Sequence, residues 1–271
     1  MHDMNCPETG GIAFRFSLAR TFALGALLAA SLFPAIASSD CIDYQDYLHI
    51  VKRFGTPSGL AEAVATSGTH LYVADRSSGL QVVDISDPAS PIIVGSVNTP
   101  GDAVGVAVAG SYIFVADGGS GLQIVDISNP ASPIIVGSVD TPGSALAVAI
   151  AGSHAYVADA LSGLQVVDVA NPTSPVIVGT LKTRGCICTV TVAGSYAYVG
   201  DNITEFGFES FAFRAIDVSN SAAPTIAGSL KMSDYVYDIS IFGPHAFVAD
   251  GEEGLRVIDT STPACPFCEN I

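Results

Sequence analysis

GLQIVDISNPASP, residues Gly121–Pro133, is one copy of a stretch that the chain repeats. Close copies stand at Gly79–Pro91 (GLQVVDISDPASP) and Gly163–Pro175 (GLQVVDVANPTSP), and looser ones at Arg214–Pro224 (RAIDVSNSAAP) and Gly254–Pro266 (GLRVIDTSTPACP). The aspartates of the copies follow one another at steps of 42 residues, except for one step of 49. A fixed period of this size is typical of a repeat architecture, in which each unit packs on its neighbours.

The second repeat shows the whole unit as four short segments rich in Val, Ile and aromatic residues. These segments are Ala103–Ala109, Ser111–Asp117, Leu122–Ser128 and Pro133–Val139. Gly, Pro, Asn and Asp separate them, a pattern that predicts strands. Four strands in about 42 residues is the size of one β-propeller blade. We therefore predict an all-β fold, a β-propeller of five four-stranded blades.

The fifth unit lacks a fourth strand of its own, because only PFCENI follows the segment that contains Leu255–Thr260 and its turn. A spare fourth strand, His49–Phe54, stands before the first unit. We expect it to pair beside Leu255–Thr260, which would close the ring and remove an exposed sheet edge. The alternative is an incomplete set of blades from a larger ring.

The first 37 residues have the pattern of a secretory signal peptide. Arg15 and Arg20 precede an apolar run, Thr21–Phe33, and Ala35-Ile36-Ala37 is a small-x-small cleavage site. The alternative is an uncleaved membrane anchor, for which the run is short, since a span needs about 18 apolar residues. We predict a signal peptide at 1–37, a lead-in at 38–47, a single propeller domain at 48–271, and a secreted or cell-surface protein without membrane insertion after cleavage.

The charge of the chain restricts its partners. Ten Lys and Arg stand against 26 Asp and Glu, a net charge of −16. Such a chain repels phosphate backbones, so a nucleic-acid partner is not expected. We expect a monomer with no cofactor and no metal, and an extracellular protein or glycan as partner.

The VAD, GLQ-V/I-VDIS, D/N-P and V-G-S segments of the unit resemble the LVIVD repeat of secreted and cell-surface bacterial and archaeal proteins. The resemblance extends over about residues 48–266. It is specific in repeats one to three and weaker in repeats four and five. The resemblance implies a β-propeller, and it implies no catalytic residues.

Two sets of aspartates recur once per repeat. One set ends the VAD or VGD runs and the other stands in the VDIS runs: Asp75, Asp117, Asp159, Asp201 and Asp250, and Asp84, Asp126, Asp168, Asp217 and Asp259. They could suggest a metal array, but a residue present in every blade serves the blade, and a carboxylate before a turn accepts backbone N–H groups. We predict a structural role for both sets.

Three carboxylates on the first strands are individual to their repeats: Glu62, Asp102 and Asp238. Carboxylates in a central funnel could serve glycoside hydrolysis. The three are not in one register, and the chain has no Trp to stack on a sugar. They are weak catalytic candidates.

The most individual feature is an insertion in repeat four, Asp201–Arg214 (DNITEFGFESFAFR), which is rich in Phe. Aromatic residues beside rare cations would form a recognition surface. The alternative is that the phenylalanines fill the pore or extend the strands. The predicted binding residues are Phe206, Phe208, Phe211, Lys182 and Arg184.

The cysteines of an exported protein are expected to pair. Cys41 and either Cys265 or Cys268 would tie the two ends of the propeller together. The Cys265–Cys268 CxxC spacing also occurs in thiol oxidoreductases, but it follows a strand here and lacks the helix that lowers a thiol pKa. Cys186 and Cys188 share a face of a strand, an awkward geometry for a bond between them.

Three functions are compatible with these patterns. The first is an extracytoplasmic binding or scaffold module that holds a protein or glycan at one end of the ring. The second is a glycan-active hydrolase that works in the central funnel. The third is a structural blade array within a larger cell-surface assembly.

Overall fold

The computed structural model describes residues 52–205 and 208–263. In these residues the chain forms five antiparallel sheets in chain order, four with four strands and the last with three. One 3₁₀ turn, Gly251–Glu253, lies in the last sheet. The all-β fold predicted from the repeats is confirmed.

The first sheet contains β1 (Ala63–Ser67), β2 (His70–Ala74), β3 (Leu80–Asp84) and β4 (Ile92–Val97). The second contains β5 (Gly105–Ala109), β6 (Tyr112–Ala116), β7 (Leu122–Asp126) and β8 (Ile134–Val139). The third contains β9 (Ala147–Ala151), β10 (His154–Ala158), β11 (Leu164–Asp168) and β12 (Val176–Leu181). The fourth contains β13 (Cys186–Ala193), β14 (Tyr196–Glu205), β15 (Phe208–Asp217) and β16 (Thr225–Met232). The fifth contains β17 (Val236–Phe242), β18 (His245–Asp250) and β19 (Leu255–Asp259).

The core lies between successive sheets. Strands that are apolar on both faces must be covered on both faces, and the inner strands β1, β5, β9, β13 and β17 pack against one another in that order. Between the second and third sheets, Leu122 and Ile124 share one buried cluster with Ala155, Val157 and Val167. The same arrangement recurs at each junction, which makes every sheet one blade of a propeller.

Glycines of the repeat allow the blades to approach closely. A Cβ on Gly137 would lie 2.1 Å from the carbonyl oxygen of Pro172, in the Asn-Pro turn of the next blade. Gly121 has a φ of +71°, and a Cβ there would lie 2.3 Å from the carbonyl oxygen of Val139. The V-G-S and GLQ segments therefore keep glycine where a side chain would collide with backbone.

The predicted closing strand is not formed in the part of it that the structure describes. Lys52–Phe54 lie outside any strand, and residues 49–51 lie outside the described residues. Within the described chain β19 pairs with β18 alone, and β17 has no packing against β1 comparable to that between the other neighbouring inner strands. Closure of the ring by the N-terminal strand stays a prediction.

An apolar face of the last sheet is exposed as a consequence. Leu255 and Val257 are 68% and 57% exposed, whereas Leu80 and Val82 at the same repeat positions are fully buried. On the first sheet Val64 is 61% exposed. The first and last blades thus lack, among the described residues, the cover that every inner blade has.

Several predicted segments lie outside the described residues. They are the signal peptide 1–37, the lead-in 38–47, and the cysteines Cys41, Cys265 and Cys268. In the part of the chain that the structure covers, no helix is long and apolar enough to cross a membrane.

Candidate functional site

One end of the propeller carries the turns between second and third strands together with the linkers between sheets, and we call it the linker end. The VAD and VGD aspartates, here the linker aspartates, hold these pieces together. The backbone N–H of Gly101 donates to Asp117 Oδ2 at 2.8 Å, and that of Gly143 to Asp159 Oδ2 at 2.9 Å. In the fourth sheet Gly185 N–H donates to Asp201 Oδ1 at 2.9 Å.

Linker hydroxyls complete these carboxylate sites in the first three sheets. Thr99 Oγ1 donates to Asp117 at 2.5 Å, and Thr141 Oγ1 to Asp159 at 2.6 Å. Burial raises the pKa of Asp117 and Asp159, against the effect of these hydrogen bonds. At Asp75, hydrogen bonds from the first linker together outweigh burial and lower the pKa. The predicted structural role of the linker aspartates is confirmed.

In the last two sheets an arginine, rather than a linker hydroxyl, is the side-chain partner of the linker aspartate. Arg214 Nε lies 2.6 Å from Asp201 Oδ2, and Arg256 Nε lies 2.5 Å from Asp250 Oδ2. Thr183, at the position of Thr99, donates instead to the carbonyl of its own linker. Both arginines occupy the repeat position that is glutamine in GLQ. The change from Gln to Arg at this position in two repeats is the feature of the sequence that indicates the different partner.

The VDIS aspartates, here the turn aspartates, lie at the other ends of the third strands. Each accepts the backbone N–H two residues ahead, at 2.7 Å from Ser128 to Asp126 and 2.8 Å from Ser86 to Asp84. Hydrogen bonds from the following serine lower the pKa of four of them: Asp84, Asp126, Asp217 and Asp259. They close turns, as predicted.

The repeat-four insertion extends a β-hairpin. Strands β14 and β15 are ten residues long, whereas the corresponding strands of the first three sheets have five. Pairing continues from Asp201↔Ala212 to Glu205↔Phe208, and we call residues 201–205 and 208–212 the hairpin extension. Strand β16 follows it as far as the Phe211↔Met232 pair. The extension begins at the linker end and continues beyond the strands of the other blades.

The phenylalanines described in this insertion are core residues. Phe211 is 8% exposed and Phe213 is 2% exposed, and the Phe211 ring lies 6.2 Å from that of Tyr235. The prediction that Phe211 lies on an exposed binding surface is wrong, because alternation along β15 turns it toward the fifth sheet. Phe206 lies outside the described residues, and Phe208 begins β15. The alternative reading, in which the insertion extends the strands, describes the fold.

The predicted cations are exposed beside this extension. Lys182 and Arg184 lie in the linker between β12 and β13, and neither forms an ion pair with another described residue. Their linker continues into Gly185, which is bonded to Asp201 at the base of the extension. Lys231, also exposed, pairs with Ala212 on the other side.

A polar cavity of about 390 Å³ lies against the extension. Its lining consists of Ser210, Phe211, Lys231, Met232 and Ser233. We use the name cationic cluster for three exposed cations that flank the hairpin β14–β15: Lys182 and Arg184 before β13 at one edge of the sheet, and Lys231 on β16 at the other edge.

The three weak catalytic candidates each have surroundings of their own. Glu62 is paired with Arg76, and Asp238 accepts the backbone N–H of Ile239. Asp102 is exposed. Among the described residues, no hydrogen bond or ion pair links one of the candidates to another.

The cysteine pair Cys186 and Cys188 lies at the same end. Strand β13 shifts register between Ile187 and Thr189, and this bulge brings Cys186 Sγ within 2.7 Å of Cys188 Sγ. Tyr235 Oη donates to Cys188 Sγ, also at 2.7 Å. A regular strand would keep the two side chains apart, and the alternation of residues along a strand does not predict a bulge.

Comparison with known families decides what the repeats are. The model of the LVIVD repeat matches residues 58–99, 100–141, 142–183, 184–231 and 234–269, well over half of the chain. The chain belongs to the LVIVD repeat family. Each of the first three LVIVD repeats contains one complete four-stranded sheet, the fourth contains its sheet except for the last residue of β16, and the fifth contains β17–β19.

Solved structures resemble this LVIVD-repeat protein in fold. The computationally designed Ika8 protein matches with a TM-score of 0.60 and 8% identity. Sqt1 of Chaetomium thermophilum, solved bound to the N-terminus of the ribosomal protein L10, matches with a TM-score of 0.58 and 17% identity. Each match covers 75% of this chain and 59% of the other chain. No curated protein matches the sequence.

Proposed function

We propose that this LVIVD-repeat propeller is an extracytoplasmic binding or scaffold module that holds a protein or glycan partner at its linker end. The observation that carries the proposal is the hairpin extension beside an exposed cationic cluster. The extension occurs in one blade of five and continues beyond the strands of the others, and loops on a rigid scaffold are common sites of binding.

The charge distribution supports this location. The chain has a net charge of −16, yet Lys182, Arg184 and Lys231 are all exposed around one hairpin. Cations in a chain of opposite overall charge offer a local site for carboxylate or other anionic groups of a partner, and such charges steer association. We expect the partner to present acidic groups there.

The base of the hairpin extension is fixed before any partner arrives. Phe211, Phe213 and Met232 are buried in one cluster with the fifth sheet, and Arg214 pairs with the buried Asp201. A surface that is already ordered loses less conformational entropy on binding. The export pattern in residues 1–37 supports the extracytoplasmic location.

The test is a screen of the purified protein against a glycan array and against secreted proteins of its host. For a ligand found in this way, Lys182→Glu with Arg184→Glu and Lys231→Glu should abolish binding without changing the melting temperature. The matched control is Lys52→Glu with Arg53→Glu, which reverses two exposed cations outside the cationic cluster.

Two outcomes would overturn the proposal. Binding that survives reversal of the cationic cluster would place the site elsewhere. Glycan hydrolysis that is lost in Asp102→Asn or Asp238→Asn would favour the hydrolase instead.

A further inference from the structure

We propose that Cys186 and Cys188 form a redox-active dithiol that exchanges with disulfides, with Cys188 as the attacking thiol and Cys186 as the resolving thiol. The proposal is independent of the partner binding proposed above. It assigns a chemical site to the linker end of the fourth blade.

The two sulfur atoms are already placed for a bond. At 2.7 Å they lie closer than the van der Waals contact of two sulfur atoms. The bulge that places them follows Ile187, which is fully buried and bridges backbone to backbone with Ala160 of the third sheet. The pair is therefore held by the packing between two blades.

The surroundings of Cys188 favour its thiolate. Hydrogen bonds from Cys186, Tyr235 and Asn202 outweigh burial and the charge of Asp201, and lower the pKa of the Cys188 thiol to about 7. The same hydrogen bond, together with burial, raises the pKa of the Cys186 thiol. An attacking thiol needs a pKa near the ambient pH, whereas an ordinary cysteine has a pKa of about 8.5.

The position of Tyr235 is set by the backbone of the fifth sheet. Val236 N–H donates to Asn202 Oδ1 at 3.0 Å, and Asn202 Nδ2 donates to the Val236 carbonyl at 3.2 Å. These two bonds tie the start of β17 to the hairpin extension, next to the cysteines. The hydroxyl donor and the thiol acceptor thus come from different blades that are fixed to each other.

A purely structural purpose does not account for the pair. A disulfide between residues two apart closes a very short loop and restrains the unfolded chain little, so its contribution to stability is small. The positions of the two cysteines are Asp102 and Val104 in the second repeat, which folds into the same blade without them. Both cysteines are also partly exposed, so that a reactant can reach them.

The exchange takes place in two thiol–disulfide steps. The Cys188 thiolate attacks one sulfur of a substrate disulfide and forms a mixed disulfide, and the second substrate sulfur leaves as a thiolate that takes a proton from water. Cys186 then loses its proton to solvent and attacks Cys188 Sγ, which releases the first substrate sulfur as a thiolate. The dithiol is oxidised by two electrons, and the substrate disulfide is reduced to two thiols. A dithiol reductant is then needed to return Cys186 and Cys188 to the reduced form.

The experiment uses the reduced full-length mature protein and reads the site in one peptide. Trypsin cleavage after Arg184 and Arg214 yields residues 185–214, which contain Cys186 and Cys188 and no other cysteine. Glutathione disulfide is the probe in one arm and disulfide-bonded insulin in the other. We expect an intrapeptide disulfide in both arms if protein disulfides are accepted, and in the first arm alone if the site takes small disulfides.

Variants assign the roles of the two thiols. Cys186→Ser should trap glutathione on Cys188 as a stable mixed disulfide, and Cys188→Ser should lose the reaction. Tyr235→Phe should shift the pH midpoint of iodoacetamide alkylation at Cys188 upward, toward that of an ordinary thiol. The wild-type pH profile needs no variant and is informative even if a substitution impairs folding.

Three results would overturn the proposal. The first is alkylation of wild-type Cys188 with the midpoint of an ordinary thiol. The second is faster reaction at Cys186 than at Cys188. The third is tight zinc binding to the dithiol that blocks exchange, which would make the pair a metal site, although no group of three or more metal-ligating side chains exists among the described residues.

Discussion

At the level of single residues, the partner of the buried linker aspartate differs between repeats. Where a linker threonine donates to the aspartate, the third strand carries glutamine, as at Thr99 and Gln123. Where the third strand carries Arg214 or Arg256, the arginine pairs with the aspartate, and Thr183 of the fourth linker bonds elsewhere. A buried carboxylate needs partners, since burying it unpaired is costly, and the repeats supply them in two ways.

The first prediction concerns Asp117. Asp117→Ala removes the acceptor for both Gly101 N–H and Thr99 Oγ1. A buried donor left without a partner costs about 1–3 kcal/mol, so we expect the free energy of unfolding in urea to fall by at least that amount. The matched control is Asp102→Ala, at an exposed neighbour whose charge raises the pKa of Asp117. Equal effects of the two substitutions would contradict the linker role.

The second prediction concerns the pH dependence of a turn aspartate. The pKa of Asp126 is lowered in the folded protein by its hydrogen bonds with Ser128. A lowered carboxyl pKa adds stability above the unfolded pKa of about 3.9, and this contribution is lost as the pH falls through the folded pKa. Asp126→Ala should therefore destabilise the protein at neutral pH and lose this effect in acid. Urea titrations across the pH range test this, and a pH-independent difference would show that the carboxylate charge plays no part.

Periodicity decides which residue roles the sequence predicts. The linker and turn aspartates recur once per repeat, so their structural role was visible from spacing alone. Cys186 and Cys188 occur in one repeat only, and their convergence depends on a register shift that alternation along a strand does not predict and that the fifth sheet shares between Val236 and Asp238. A residue that occurs in one repeat only cannot be compared with equivalents in the other repeats, so its role is not predicted by periodicity.

At the level of elements, the hairpin extension shows what an insertion length can and cannot predict. The spacing of the repeats shows seven extra residues between the second and third strands of repeat four, and the structure has the insertion there. The Phe-rich composition suggested an exposed surface, but the extra residues continue the ladder of β14 and β15. Side chains two apart share a face of a strand, so Phe211 and Phe213 both enter the core.

The third prediction compares two phenylalanines. Phe211→Ala removes a buried ring from the cluster between the fourth and fifth blades, and such a loss typically costs about 3–5 kcal/mol. Phe242→Ala, at a ring that is 78% exposed, should change stability by less than about 0.5 kcal/mol. Chemical denaturation of both variants measures the difference. If the Phe211→Ala protein is as stable as the Phe242→Ala protein, Phe211 is not a core residue.

At the level of the whole molecule, the repeats specify the number and order of blades but not how the ring ends. Every inner blade is covered by a copy of itself, so the local pattern suffices for the four junctions. The junction between the fifth and first blades has no such copy in the sequence. It was predicted from an extra segment, His49–Phe54, whose described part forms no strand.

The last prediction tests closure. β19 is an edge strand in the described chain, and Leu255 and Val257 on it are exposed. If residues 38–54 supply the missing strand, the mature protein should sediment as a monomer, and a chain lacking 38–54 should associate through the free edge, which is a template for pairing with another chain. Charges on an edge strand discourage such pairing, so Val257→Lys in the shortened chain should restore the monomer and serves as the control. A shortened protein that stays monomeric with an unchanged melting temperature would show that the N-terminal segment does not close the ring. Association of the full mature chain as well, suppressed by Val257→Lys, would show that the open edge is where copies or further blades join.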